Sequence, residues 1–282
     1  MSGHKDDEIP SGTQSIERAA RILREIASYS AEGLRLVDLS THLNLKRGTT
    51  HRILMCLIRE RLVMQHPTTL RYLLGYGLFE LGLTAATQFR LRELCASSLA
   101  RIATQTGFTA YMTIRSQFDA ISIAKADADL ESAVELPVLE LGAHRPLGVG
   151  AGSLALLISL PDDEIERIVS ANARRLAVFG KLTVPLLLQI TREAQEAGYA
   201  VHDSRMISGI SGVGILVRDS AGAPLGAISV SAKAESLPLE TQMKILAILN
   251  KESRVLQNLI HQANIDVAEY SRRFSDNYFN AN

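Results

Sequence analysis

Two clusters of side chains in this sequence could do chemistry, and in both cases the chemistry is recognition. The first is Lys46-Arg-Gly-Thr-Thr-His-Arg52, where Lys46, Arg47 and Arg52 surround the hydroxyls of Thr49 and Thr50. Lysine or arginine donates to guanine acceptors, and threonine can donate to a base or touch a thymine methyl. Cations this close together also suit phosphate contact. The second cluster is Gly148-Val-Gly-Ala-Gly-Ser153, placed just ahead of an apolar run. Glycines there leave backbone N–H groups unobstructed at a helix start, a ready site for a carboxylate. Tight packing of a loop on a sheet is the competing reading. A dinucleotide fingerprint is excluded, because the third glycine is misplaced and no strand with a ribose-binding acid frames the segment.

Catalytic constellations are missing from the sequence. Ser153 and Ser211 lie near glycines, but neither makes G-x-S-x-G, and Ser211 fails at Val213. There is no HExxH, and the histidines are scattered, with His4 in the tail and His51 and His66 in the N-terminal part. Cys56 and Cys95 are far apart and outside any CxxC pair, which argues against a disulfide framework or thiolate zinc site and fits a reducing cytoplasm. The expectation is therefore a cytoplasmic protein that is not an enzyme and needs no cofactor or metal.

The first cluster needs a scaffold, and the surrounding periodicity supplies one. A first helix opens at Ser15, a candidate N-cap, with Ile16, Ala20, Leu23 and Ala27 at helical spacing and Ile26 widening the stripe. A short helix follows around Asp38–Leu43, and Asn44 suits a left-handed turn. A third helix carries the cluster in its first turns and buries Ile53, Leu54, Leu57 and Ile58. Two short strands around Pro67-Thr68-Thr69 complete a winged helix-turn-helix, against the alternative of a plain three-helix bundle with a hairpin. From Gln14 to Glu80 there are ten Lys/Arg and six Asp/Glu, a surplus of four, although the whole chain sums to zero. The stretch Tyr76–Arg92, with Leu78, Leu81, Ala85 and Phe89, predicts a linker helix whose apolar stripe a second copy of the chain could cover.

The second cluster falls in a mixed region. A helix is expected over Glu93–Thr106, strands at Thr109–Arg115, Asp119–Ala124 and Ser132–Pro137, and helices at Ser153–Leu160, Asp162–Ala171 and Val184–Ala197. Strands at Tyr199–Asp203, Gly214–Arg218 and Leu225–Ser231 follow, with a turn at Asp219-Ser220-Ala221-Gly222, and Leu239–Ala263 is a closing helix. Antiparallel pairs flanked by helices indicate an α+β domain. The expected organisation is a tail (1–13), a DNA-binding domain (14–75), a linker helix (76–92), a sensor domain (93–265) and a second tail (266–282). The polar, acidic start is not a signal peptide, and no apolar run is long enough to cross a membrane.

Several strings match a known family in order. Ser15-Ile-Glu-Arg-Ala, Leu45-Lys-Arg-Gly-Thr-Thr-His-Arg-Ile-Leu and Tyr72-Leu-Leu-Gly-Tyr-Gly-Leu-Phe-Glu-Leu-Gly resemble signatures of IclR-family transcriptional regulators. So do Pro146-Leu-Gly-Val-Gly-Ala-Gly-Ser, Gly198-Tyr, Gly209-Ile, Asp219 with Gly222, and Ala227-Ile-Ser-Val-Ser. The resemblance implies a winged helix and a GAF-like effector-binding domain. It also implies dimers or tetramers on palindromic operators near genes of carbon or aromatic-compound metabolism, acting as repressors or activators.

On this reading Lys46, Arg47, Thr49 and Thr50 reach base edges. Arg52 holds a phosphate or a helix ion pair. Arg71 on the wing touches phosphate or minor groove, or is a solvated hairpin charge. Gly48 and Arg61 stand where the family commonly has serine and glycine. The resemblance carries an organic-acid effector to Gly150, Ala151, Ser229 and Ser231. His202 and Gly212 stand where glyoxylate-type members have aspartate and cysteine. His202 would be a cation or donor toward the acid, or a satisfied strand histidine. Gly212 would enlarge the pocket and, with Leu147 and Met206, favour a larger, aromatic acid. A sensor or adaptor without specific DNA binding is the alternative function.

Overall fold

The computed structural model describes residues 13–29, 32–86, 90–128, 140–179, 182–219 and 221–263. The expected strand Ser132–Pro137, the N-terminal tail up to residue 12 and the C-terminal tail lie outside them, as do Phe89 and Ser220. The chain divides into two compact units, Met1–Gln88 and Phe89–Asn282.

In the first unit, helix α1 (Gln14–Ala27) buries Ile22 and Ile26, with Ala19 and Leu23 packed beside them. The stripe is thus rotated from the expected one, and Ile16, in the first turn ahead of the core, is 70% exposed. Thr13, not Ser15, stands at the N-cap, its hydroxyl donating to Glu17 Oε1 at 2.9 Å. Helices α2 (Leu36–His42) and α3 (Arg47–Arg59) meet at a turn where Asn44 is left-handed (φ 51°) and the Leu45 N–H donates to the Ser40 carbonyl at 2.9 Å.

Strands β1 (Val63–Gln65) and β2 (Tyr72–Leu74) pair antiparallel, and Leu34 exchanges both backbone hydrogen bonds with Tyr72. At the hairpin tip His66 Nδ1 accepts the N–H groups of Thr68 and Thr69 at 3.2 and 3.3 Å. The unit is a winged helix-turn-helix closed on Ile22, Ile26, Leu39, Leu54, Leu57 and Tyr72. Helix α4 (Tyr76–Ala86) follows. Arg61 keeps a left-handed backbone (φ 60°), the conformation glycine adopts most cheaply, while its guanidinium turns to Glu80 at 3.2 Å and over the Tyr76 ring.

The second unit opens with α5 (Leu91–Thr106), which takes Leu91 and Arg92 from the expected linker helix. Its sheet is fully antiparallel in the order β5-β4-β3-β8-β7-β6. The strands are β3 (Thr109–Ser116), β4 (Asp119–Ala126), β5 (His144–Pro146), β6 (Ala200–His202), β7 (Ile210–Arg218) and β8 (Pro224–Lys233). One face sets Met112, Val213, Val217, Ile228 and Val230 against Leu99 and Ile102 of α5 and Leu249 and Leu256 of α10 (Leu239–Gln262). The other carries α6 (Ala151–Leu157), with α7 (Asp162–Ala171) and α9 (Val184–Ala197) extending that core.

Helices α5 and α10 are tied by a bidentate ion pair: Arg101 Nε and Nη2 donate to the two Glu252 oxygens at 3.0 and 2.7 Å. The Glu252 side chain is 2% exposed and that of Arg101 44%. Removing the cation strands a buried carboxylate, so Arg101→Met should destabilise the protein by about 2–3 kcal/mol, discounted for the half-exposed arginine. Adding Glu252→Met should recover most of the loss in urea denaturation. Additive losses in the double variant would contradict the pairing.

Candidate functional sites

In the first unit the side chains on α3 sort by phase. Thr50, Leu54 and Leu57 fall at i, i+4 and i+7 and are buried. Thr50 is 0% exposed and its hydroxyl donates to the Lys46 carbonyl at 3.3 Å, which removes it from any base-reading surface. Lys46, Arg47, Gly48, His51, Arg52 and Met55 are exposed, with Thr49 half-buried at the margin. His51 and Met55, missed by the sequence reading, share the outward face by being i+4 and i+8 from Arg47. Among the described residues Lys46, Arg47, His51 and Arg52 carry no side-chain hydrogen bond or ion pair, so Arg52 has no helix partner. A Cβ on Gly48 would meet nothing within 4 Å. Arg71 differs. Its Nη1 donates to the Gly33 carbonyl at 2.8 Å and lies 4.0 Å from Glu32, so it pins the wing to the loop before α2 instead of lying free as a solvated charge.

In the second unit the expected effector residues converge through strand register. One row of the sheet runs His202, Gly212, Ser231, Thr109; the next on the same face runs Ala200, Gly214, Ser229, Tyr111; a third runs Leu216, Ala227, Thr113, Ser122. The first turn of α6 lies directly on these rows. A Cβ on Gly214 would sit 2.5 Å from the Ala151 carbonyl oxygen, and one on Gly152 would sit 2.9 Å from both Ser229 Oγ and Thr113 Oγ1. Close packing therefore accounts for Gly152 and Gly214. The Gly148 N–H is already taken, donating to Ser153 Oγ at 2.8 Å.

Gly212 does not enlarge a pocket: a Cβ there would meet the Val230 carbonyl oxygen at 2.5 Å, Ser231 Oγ at 3.2 Å and Ala151 Cβ at 3.3 Å. Ala151, Ser229 and Ser231 are all buried.

His202 is 2% exposed, and its Nε2 has no hydrogen-bond partner. Burial, with a smaller push from the Arg145 charge, lowers its pKa to about 4 against the pull of Asp203. It is neither a cation at neutral pH nor a satisfied strand histidine.

Sequence reasoning missed Arg145 of β5. It is 2% exposed and donates from Nε to the Val149 carbonyl at 3.0 Å, from Nη1 to Ser122 Oγ at 3.0 Å and from Nη2 to Thr113 Oγ1 at 3.2 Å. Burial lowers its pKa to about 10, which leaves it charged at neutral pH. The sequence held no signal beyond a charged residue wedged between His144 and Pro146 in an otherwise apolar stretch. Tyr111, opposite Ser229 and 3% exposed, is held neutral, its pKa raised to about 12 mainly by burial. Among the described residues no group of His, Cys, Asp and Glu could hold a metal, and no helix is long and apolar enough to cross a membrane.

Comparison with known proteins decides the family. Residues 15–67 match the IclR helix-turn-helix domain, and residues 83–258 match the bacterial transcriptional regulator IclR C-terminal domain, more than half the chain. The chain belongs to the IclR family. Its relatives include the HTH-type transcriptional repressor AllR of Salmonella paratyphi A, 27% identical over 236 residues, covering 83% of this chain and 85% of the relative. An IclR regulator structure from Alicyclobacillus acidocaldarius aligns with a TM-score of 0.70 at 21% identity, covering 88% of this chain and 99% of its own. An IclR homologue from Microbacterium hydrocarbonoxydans complexed with 4-hydroxybenzoate aligns at 0.65 and 16%, covering 88% and 99%. These structures share the fold. In this IclR-family chain the winged helix and the α+β domain behind it are thus those of a transcriptional regulator, and the family consists of regulators, not enzymes.

The buried imidazole has a measurable consequence. Because the folded pKa of His202 is about 4 against 6.5 for the free group, the unfolded chain binds a proton first as pH falls. Stability from this residue is complete above pH 6.5 and is lost on acidification toward pH 4, with a slope of up to about 1.4 kcal/mol per pH unit. His202→Asn should flatten the stability curve in that window, measured by urea denaturation at stepped pH. A parallel curve for the variant would show that His202 is not the titrating group.

Proposed function

We propose that this chain regulates transcription by binding palindromic operator DNA through α3, under the control of a small organic acid held in the second unit. The observation that carries the DNA half is the outward face of α3, where Lys46, Arg47 and Arg52 stand exposed without partners of their own. Lys46, Arg47 and Thr49 read base edges, Arg52 contacts phosphate, and Arg71 holds the wing in register for its neighbours. Thr50 has no part in it. The AllR relatives are named repressors, which favours repression.

The effector half rests on the buried polar rows, where Ser229, Ser231, His202 and the backbone at Gly150 and Ala151 surround the ligand, while Gly212 admits α6 closely. A homologue of the same fold complexed with 4-hydroxybenzoate favours an aromatic acid. Helix α4 exposes Tyr76, Phe79, Leu81 and Leu83, and a second copy of the chain covers them, making the regulator a cytoplasmic dimer or tetramer.

Operator sequences enriched from a random duplex pool provide the test. Arg47→Ala should weaken the enriched site roughly 10-fold and relax base preference at one position, while Thr50→Ser should leave preference unchanged. Wild-type affinity should fall steeply with salt. Weak, salt-insensitive association would favour the adaptor alternative, and operator affinity indifferent to every organic acid tried would defeat the effector half.

A further inference from the structure

One buried charge of the second unit has no counter-charge among the described residues. Arg101, Arg115, Arg175 and Arg205 are all more exposed than Arg145, and each holds a carboxylate: Glu252, Glu164, Asp119, and Glu193 with Asp203. Arg145 has only neutral acceptors among the described residues, two hydroxyls and a carbonyl. A guanidinium has five N–H donors, so two are left over. Burying a cation without a counter-charge is costly, and proteins retain such groups where function requires them. The second unmet group is His202 Nε2.

The two belong to one patch. Thr113 Oγ1, which accepts from Arg145, flanks the Gly152 position together with Ser229 Oγ, and Ser231, on the same face of β8 as Ser229, lies in the row of Gly212 and His202. His202 Nε2 has no partner in the fold, so the neutral ring has a polar atom free to pair with a ligand.

We infer that Arg145 receives the carboxylate of the effector and that His202 Nε2 hydrogen-bonds a hydroxyl on the same molecule, making the ligand a small hydroxy-monocarboxylate. A single buried cation beside a neutral imidazole and a neutral phenol balances one negative charge. A dicarboxylate would bring a second charge with nothing to meet it. The assignment rests on the effector reading above, adding the residue that supplies the charge and the class of ligand.

Calorimetry on the full chain tests it with glycolate, lactate, mandelate and 4-hydroxybenzoate, each beside its primary amide and its deoxy acid. At least one hydroxy acid should bind, with its amide weaker by about 30-fold or more, the loss expected when one partner of a buried charge pair is removed. Arg145→Gln should lose a similar factor for the acid, and Arg145→Lys should retain part of it. His202→Phe should bring the hydroxy acid and its deoxy analogue to equal affinity while carboxylate still outcompetes amide.

Equal binding of acid and amide, undiminished binding by Arg145→Gln, or no binding by any acid would overturn the inference. Should the glutamine variant fail to fold, judged by circular dichroism and ligand-free DNA affinity, the acid-against-amide comparison on the wild-type protein decides. The two readings fail separately. A neutral compound that shifts operator affinity equally in wild type and Arg145→Lys sinks the Arg145 assignment and leaves effector control standing. An acid that binds through Arg145 without changing operator affinity does the reverse.

Discussion

Backbone contact between the first turn of α6 and the sheet is the constraint on which the second unit depends. Glycine at 152 and 214 lets the helix approach until the Ala151 carbonyl lies where a side chain on β7 would be. That approach excludes water without using apolar bulk. Short polar side chains can then occupy a buried face, where Ser229, Ser231, Thr113 and Ser122 are found. The opposite face of the same strands is filled by Met112, Val213, Ile228 and Val230 in the ordinary manner of a core. The sheet thus has one apolar face and one lined with short polar side chains, and strand alternation keeps them apart. With a wider gap the polar face would hydrate, and neither Arg145 nor His202 would be perturbed.

Two of the buried charges of the unit, Glu252 and Arg145, differ in how they are partnered. Glu252 is met by both arms of the Arg101 fork and by no ambiguity of geometry; its carboxyl pKa is held below the usual range chiefly by that hydrogen bond. The pair ties two helices and has nothing left to offer a ligand. Arg145 is equally buried, but its acceptors are neutral, and its pKa moves in the unfavourable direction for a cation. Locally this costs stability, which the surrounding apolar cores offset. Strain or unmet polarity retained against stability is a mark of a functional site.

What was legible in the sequence follows from how far apart in the chain the cooperating residues lie. The order of most helices and strands, the left-handed Asn44 and the limits of α7 and α9 are readable because each depends on neighbours within a turn or two, whereas β5, three residues long and paired with β4, shows no such local pattern and is not expected from the sequence. The exposed cations of α3 were readable for the same reason. Thr50 has the residue type of a base-reading position, but its i, i+4, i+7 relation to Leu54 and Leu57 places it on the apolar stripe. Ile16 continues the apolar spacing into a first turn that the core does not reach. Serines 229 and 231 stand out in the sequence through family resemblance alone. Their meeting with Thr113, Arg145 and His202 depends on the register of β3, β4, β7 and β8, which no local pattern specifies. The closeness at Gly212 was equally hidden, since a glycine that makes room and a glycine that permits contact look alike in sequence.

The two sites work in opposite electrostatic regimes. On α3 several cations stand in water, where each interaction is screened and weak, and affinity accumulates from many small contacts with displaced counterions. Losing one of them leaves the others functional. Beneath α6 a single cation stands in a medium of low polarity, where one charge interacts strongly and few groups can substitute for it. A surface of the first kind tolerates drift and reads a long, repetitive polyanion. A site of the second kind responds to one small anion of the right shape, and the contrast is the one that the proposed reading requires, with DNA gripped by increments and an effector acid met by one charge.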